Sequence, residues 1–301
     1  MMALTNRFFV PAALVLLAVL VLLALLMPQR TSKEGTLFPD HPAIAAWGTD
    51  EFVGEALEWK EVNRLFPKFA AAYLIDVRTG KRFEVQRRGG SYHADIQPVS
   101  KADTQILKEL YGNWSWRRRA VVMEIGLRRI AGSIHGMPHG DGKIEGNDFP
   151  GHFCIHFLDS RVHASSKVDT AHQMMVWKAA GSPEKPFIGA TPEKTVELVL
   201  TAFNQHDGAL ASQGLTYAEA DLWLLAADVL ESLPEMDIRK ISLQKDKNTE
   251  EGLRIYELEL SLTYPNKKSI KKSGEILLLQ DVAAGRWRLD GDGLKKLLEE
   301  E

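Results

Sequence analysis

Hydrophobic and polar residues along this chain follow three different patterns. The first has no period at all. From Phe8 to Met27 the sequence runs FFVPAALVLLAVLVLLALLM, with no charge and a predominance of Leu, Val and Ala. A helix of about 20 such residues spans about 30 Å, the thickness of a bilayer core. The run predicts a transmembrane helix over 8–28, with 1–7 as a cytoplasmic tip and 29–55 as a juxtamembrane linker. Pro11 falls in the first turn, where it costs little. The apolar stretch is longer than a signal-peptide core, and MPQRTSKEG after it offers no small-x-small cleavage site, so an uncleaved anchor is expected. Arg7 before the run and Arg30 and Lys33 after it leave the orientation open by charge.

The second pattern alternates with period 2. AYLIDV and KRFEVQ within 71–88 predict a hairpin turning at Arg78-Thr79-Gly80. RRAVVMEIGLRRIAGSIHG (118–136) predicts two strands about a tight turn at Gly126-Leu127. The third pattern is helical. WKEVNRLF (59–66) reads as a short helix. KADTQILKELYG (101–112) places Ile106, Leu107, Leu110 and Tyr111 on one face, with Ser100 as cap and Gly112 as stop. VDTAHQMMVWKAA (168–180) closes this region, giving a β-rich domain over 56–180. GSPEKPFIGATP predicts a linker over 181–190.

Beyond it, PEKTVELVLTAFNQHD (192–207) predicts an amphipathic helix with Thr191 as cap and Pro192 at its first position. TYAEADLWLLAADVLESL (216–233) is a second helical run. Three strand-like segments follow at 238–246, 253–265 and 273–291. Helices followed by an antiparallel sheet make the chain α+β. The order over 191–301, with its last strand GRWRLDG, resembles the NTF2-like (cystatin-like cone) domain. Such domains host both enzymes and ligand binders, so a protein partner or ligand at this end is implied.

Composition narrows the field. Net charge is −3 with mixed signs, so no basic footprint for nucleic acid is present. One cysteine excludes an intramolecular disulfide. That cysteine lies in GHFCIHF (151–157), between His152 and His156, and His135, His139 and His163 are close by. In a strand, His152, Cys154 and His156 share one face, and Phe153, Ile155 and Phe157 the other. The aromatic face suits a core, which turns Cys154 toward the histidines.

Ile134-His135-Gly136, with Gly151-His152-Phe153-Cys154-Ile155-His156 beginning fifteen positions after Gly136, resembles the motif of the L,D-transpeptidases of the bacterial cell wall. That family has His-Gly, then Ser/Thr-His-Gly-Cys, a hydrophobic residue, and Arg or Asn. Here Gly151 stands in place of Ser or Thr, Phe153 in place of Gly, and His156 in place of Arg or Asn. The resemblance implies a β-sandwich-like fold, Cys154 as nucleophile, His135 as its base, His152 as a residue that holds the site, and no cofactor. Backbone N–H groups near 152–154 would bind the oxyanion. His156, His139, His93 and Asp95 would support the site or bind substrate, His93 and Asp95 sharing one face of SYHAD (91–95).

Two other readings stay open. His135, His139, His152, Cys154 and His156 are also ligand types for Zn²⁺, although their spacing matches no known zinc motif and His135-Gly-Met-Pro-His139 cannot be helical. WSWRRR (114–119) reads either as a surface for anionic glycan or as a strand entry with core Trp and solvated Arg. The chain is thus expected to be a single-pass membrane protein, its bulk extracytoplasmic, working on peptidoglycan or its stem peptides. A zinc peptidase or amidase and a non-catalytic wall-binding protein are the alternatives.

Overall fold

Two antiparallel β-structures, a closed barrel and an open sheet, are joined through one buried helix. The computed structural model describes residues 52–162, 166–216, 221, 224–244, 250–264 and 268–299. All of them belong to the unit Asp40–Glu301. The anchor expected over 8–28, the tip 1–7 and most of the linker lie outside the described residues. No helix among the described residues is long and apolar enough to cross a membrane.

The first described helix, α1, covers Trp59–Leu65. Strands β1 (Ala71–Asp76) and β2 (Arg82–Gly89) form the expected hairpin. Its turn is held by the Asp76 carboxylate, which accepts the Thr79 N–H at 3.0 Å and the Thr79 hydroxyl at 2.8 Å. Gly80, at φ +68°, supplies the left-handed residue. Strand β3 is Ala94–Pro98, and helix α2 (Lys101–Tyr111) carries a full capping box between Ser100 and Asp103. Strands β4 (Arg118–Ile125) and β5 (Arg128–His135) make the second hairpin, and β6 is Phe153–His156.

The order β1-β2-β3-β6-β5-β4 closes on itself because β1 pairs with both β2 and β4. A closed six-stranded barrel therefore stands where the resemblance implied a sandwich-like fold. Period 2 fills it: Leu74, Phe83, Val85, Ile96, Met123, Ile130, Ile134, Phe153 and Ile155 form one buried cluster, which Phe66 and Leu107 join. Tyr111 joins it too, beneath Gly136, where any Cβ would lie 2.4 Å from its ring.

Helix α3 (Thr170–Ala179) lies on the outer surface of β4 and β5. Its Met174, Met175, Val176 and Ala179 share a second cluster with Ala120 and Ala131 of the barrel and with the C-terminal core. The segment expected to be an open linker, 181–190, packs here as well. It contains a 3₁₀ turn, Lys185–Phe187, and Phe187 is fully buried.

Helix α4 (Pro192–Asn204) is capped by Thr191 as expected. Short helices α5 (Gly208–Ser212) and α6 (Ala227–Ser232) follow; α6 falls within the helical run expected over 216–233, of which 217–220, 222 and 223 lie outside the described residues. Strands β7 (Glu235–Leu243), β8 (Leu253–Thr263), β9 (Ser269–Asp281) and β10 (Arg286–Leu289) form an antiparallel sheet in the order β10-β9-β8-β7, with helix α7 (Gly291–Leu298) at the end. The segment expected as one strand over 273–291 is two. The break falls at 282–285, where Gly285 has φ +63° and Asp281 accepts the Ala284 N–H. The architecture is α+β.

Asp76 is 1% exposed and accepts two bonds from Arg119, both at 2.8 Å. Arg119→Ala leaves this carboxylate buried without its cation. It is expected to lower unfolding free energy by about 3–5 kcal/mol, read from urea denaturation; a loss under 1 kcal/mol would show that the turn hydrogen bonds alone satisfy Asp76.

Candidate functional site

The site forms where β3, β6 and β5 run side by side in the barrel wall. Register sets Asp95 opposite Cys154 and Ser133 opposite His156. Ala94, Ile96, Phe153, Ile155, Ile130 and Ile134 take the interior. Asp95, Cys154, His156, Ser133 and His135 therefore stand together on the outer surface.

That outer surface is roofed. The loop from 136 to 152 folds back so that His139 and His152 exchange two backbone hydrogen bonds, each 2.9 Å. Gly151 permits this rung: its φ is +108°, and a Cβ there would lie 2.6 Å from the His139 carbonyl oxygen. This accounts for glycine where the resemblance led to Ser or Thr. Trp116 lies over the edge, its ring 4.7 Å from that of His135 and 5.4 Å from that of His139. Helix α3 covers the other side with His172.

At the centre is Cys154, 2% exposed. Its Sγ is 3.4 Å from His139 Nε2 and 3.8 Å from Asp95 Oδ1. Three histidines present their Nδ1 atoms to main-chain carbonyls. His139 Nδ1 lies 3.1 Å from Met137 O, His93 Nδ1 2.7 Å from Arg161 O, and His152 Nδ1 3.2 Å from Asp141 O. A carbonyl only accepts, so each Nδ1 carries the hydrogen and each Nε2 is turned inward. His93 Nε2 is 3.2 Å, and His152 Nε2 3.9 Å, from Asp95 Oδ1. Behind them His93, His156 and His172 stack in a column, with centroid separations of 4.5 and 3.7 Å. The column ends at Ser133 Oγ, 2.8 Å from His172 Nδ1.

Three sets of donor atoms each fit within 4.8 Å of one another: His93, Cys154 and His156; His135, His139 and Cys154; and Asp95, His152 and Cys154. Every set contains the sulfur. The donor chemistry, imidazole and thiolate with one carboxylate, suits zinc.

Burial pushes the Cys154 thiol well above its ordinary range, and the neighbouring Asp95 charge and hydrogen bond add to the effect. Burial also holds His135 and His172 well below the usual imidazole value, helped by His139 for the first and His156 for the second.

All seven predicted site residues gather here, but not in the expected roles. The imidazole on Sγ is that of His139, not His135. His135 sits at the end of β5 beneath Trp116, and its Nδ1 makes no hydrogen bond. The His152 N–H, expected near an oxyanion, is taken by the His139 carbonyl. His163 lies outside the described residues. The carbonyls of Met137 and Arg161 and the Ser133 hydroxyl are not among the expected site groups, and Trp116, read within WSWRRR as a glycan-stacking or core ring, lies instead over His135 and His139. Only Ser133 leaves a signal in sequence, since it shares the period-2 face of His135. Trp116 is 49% exposed rather than in the core. The arginines after it are ion-paired: Arg117 to Glu231, Arg118 to Asp169 and Arg119 to Asp76.

No family model matches the chain, and no curated protein matches it. Among solved structures it is similar to a cystatin-like protein from Ruminococcus gnavus ATCC 29149. That match has 12% identity and a TM-score of 0.21, and covers 76% of this chain and 67% of the other. So loose a superposition carries no argument about fold or function.

The two depressed histidines give the folded state a pH dependence. Unfolded, they bind protons near the ordinary imidazole value of 6.5; folded, they stay neutral to well below it. Between those values the unfolded chain holds more protons, so stability falls as pH falls. With chelator present, the melting temperature is expected to drop steadily as pH is lowered from 7 through 6.5, and His172→Gln to flatten that slope. A melting temperature constant through that window would refute the assignment.

Proposed function

We propose that this protein carries out cysteine-dependent acyl transfer or hydrolysis on peptidoglycan stem peptides, as a diverged L,D-transpeptidase-like enzyme. The contact between Cys154 and His139 carries the reading. With Nδ1–H directed at Met137 O, His139 Nε2 is turned toward Sγ at 3.4 Å, placed to accept the thiol proton. The carbonyl does for this ring what a carboxylate does in a Ser-His-Asp triad, fixing tautomer and orientation.

The chemistry then follows. Sγ attacks the acyl carbon of a stem peptide as its proton passes to His139 Nε2. The tetrahedral intermediate collapses, the C–N bond breaks, and the departing amine takes that proton. A thioester on Cys154 remains. Water, or the amine of a second peptide, attacks it and returns the proton to sulfur. No cofactor enters. Because burial holds the thiol protonated, the proton transfer to His139 is an essential part of the attack. Substrate reaches a sulfur 2% exposed only when the loop 136–152 lifts.

A zinc peptidase or amidase, the other enzymatic reading, requires an open coordination position for water. The thiol lying directly against an oriented imidazole favours the thiol reading instead. The uncharged run Phe8–Met27 supports a single-pass anchor with the bulk extracytoplasmic. Helices followed by an antiparallel sheet support an NTF2-like C-terminal domain that docks a ligand or partner.

The test is digestion of purified peptidoglycan by the full-length chain, with products read by liquid chromatography and mass spectrometry. Cys154→Ala is expected to abolish turnover. His139→Gln should lower it by about 10²–10⁴-fold, and His206→Gln should leave it unchanged. Turnover retained in Cys154→Ala sinks the proposal. Pull-down on peptidoglycan with unaltered muropeptides would instead mark a wall-binding protein.

A further inference from the structure

We propose that a cleft between the β1–β2 turn and helices α3 and α4 binds one small tetrahedral oxyanion of the phosphate type, free or as a monoester, on Arg78, Lys178 and Gln205. Four parts of the chain line it: the turn (Asp76, Arg78), the start of β4 (Arg118, Arg119), the end of α3 (Lys178) and the residues after α4 (Gln205, Asp207). The space is about 30 Å³, room for about two waters. A phosphate group suits a space of that size, and a sugar ring or nucleobase does not.

The cleft has spent its acceptors and kept its donors. Asp76 accepts from Arg119 and Thr79. Asp207 accepts Lys178 Nζ at 2.6 Å and the Leu210 N–H at 3.1 Å. The Thr201, Ala202 and Phe203 carbonyls at the end of α4 accept the N–H groups of residues 205–207. Gln205 Oε1 accepts the Arg118 N–H at 2.7 Å, which fixes Nε2 as the donor end of the amide. That Nε2 meets no acceptor among the described residues. Lys178 keeps N–H groups beyond the one given to Asp207. Arg118 gives its Nη atoms to Trp116 O and Asp169, and its Nε is buried without an acceptor. Arg78 is exposed and makes no hydrogen bond or ion pair among the described residues.

Charge points the same way. Arg118, Arg119 and Lys178 each have a carboxylate, from Asp169, Asp76 and Asp207 in turn. Arg78 is the cation left over. Partial desolvation, then the Arg119 charge, lower its pKa and outweigh the pull of Asp76, Asp207 and Glu231. An anion in the cleft reverses that balance and gives the surplus guanidinium a partner. A guanidinium, an ammonium and an amide N–H from three separate elements match the several oxygens of a tetrahedral anion better than the two of a planar carboxylate. Bound there, the anion clamps the β1–β2 turn to α3 and α4. The groups against Sγ, His139 and Asp95, take no part, so anion binding stands independently of the acyl-transfer reading.

The test is calorimetric titration of the full-length chain at constant ionic strength with inorganic phosphate, glycerol 3-phosphate and acetate, with melting temperature read alongside. Inorganic phosphate should bind at one equivalent and raise the melting temperature saturably; acetate should do neither. Glycerol 3-phosphate that binds as well identifies a monoester site, and its exclusion identifies a site for the free anion. Arg78→Ala should weaken phosphate binding at least about tenfold. Having no partner to lose, it should melt as high as the wild type without phosphate. Gln205→Glu keeps an oxygen for the Arg118 N–H but replaces the amide donor with a charge, and should weaken phosphate binding as well. Arg82→Ala removes an exposed arginine paired with Glu124 outside the cleft and should change neither reading. Phosphate that fails to saturate, that binds Arg78→Ala as tightly as the wild type, or that acetate matches overturns the proposal.

Discussion

The strict alternation of Phe153, Cys154, Ile155 and His156 in β6 is the constraint on which the site depends. Phe153 and Ile155 are wholly buried in the barrel interior, so Cys154 and His156 must point the other way. A slip of one residue would exchange the faces and put a thiol and an imidazole among Leu74, Phe83 and Ile96. The cost of that exchange fixes the register of β6 against both neighbours. Register in turn sets Asp95 beside Cys154 and Ser133 beside His156. The barrel core thus positions polar groups that it never touches.

Those groups need a second layer, because a polar row on an outer barrel wall would otherwise simply be solvated. Helix α3 supplies half of the cover. It is buried on nearly every face because it belongs to two cores, the barrel wall through Ala120 and Ala131 and the C-terminal helices and sheet beyond. His172 rides on that helix, so the column His93–His156–His172 is clamped by packing that begins far from Cys154. The loop 136–152 supplies the other half, closed by the His139–His152 rung and tied to the barrel by Gln97 Oε1, which accepts the Lys143 and Ile144 N–H groups, and by the buried ring of Phe149. Floor and roof are thus both built on the barrel, one through its strands and the other through a loop pinned to β3 and to the core.

Much of this was legible in the sequence, and the rest was hidden for identifiable reasons. Both barrel hairpins, the capped helix at 101–111 and the outward turn of Cys154 follow from local periodicity and capping, which act over a few residues. Closure of the barrel depends on β1 finding β4, a long-range pairing with no local signature. The break at 282–285 has no clear sequence signal because the turn there rests on Ala and Gly rather than on an Asn-Gly pair. His135 drew attention as the expected base because it aligns with a known motif. His139 is the ring on sulfur because the loop pairs residue 139 with residue 152, a contact that spacing alone does not disclose. The arginines at 117–119 read equally as a glycan surface or a solvated face, yet each meets a carboxylate contributed from elsewhere in the chain.

Asp95 is the residue that separates the two chemistries open to Cys154. A buried thiol beside a carboxylate 3.8 Å away stays protonated, since desolvation and repulsion both oppose the thiolate. If acyl transfer were the only demand on the pocket, an uncharged group at 95 would serve Cys154 better. The thiolate form would then face only His139, which becomes a cation as it takes the proton. A divalent cation reverses the sign of the Asp95 contribution, because the carboxylate and the thiolate then share a positive centre instead of repelling. His93 Nε2 lies 3.2 Å from the same carboxylate oxygen and can hold it only when that nitrogen also carries a proton. A charge fixed beside the sulfur makes Asp95 the residue that, after burial, does most to keep the Cys154 thiol protonated.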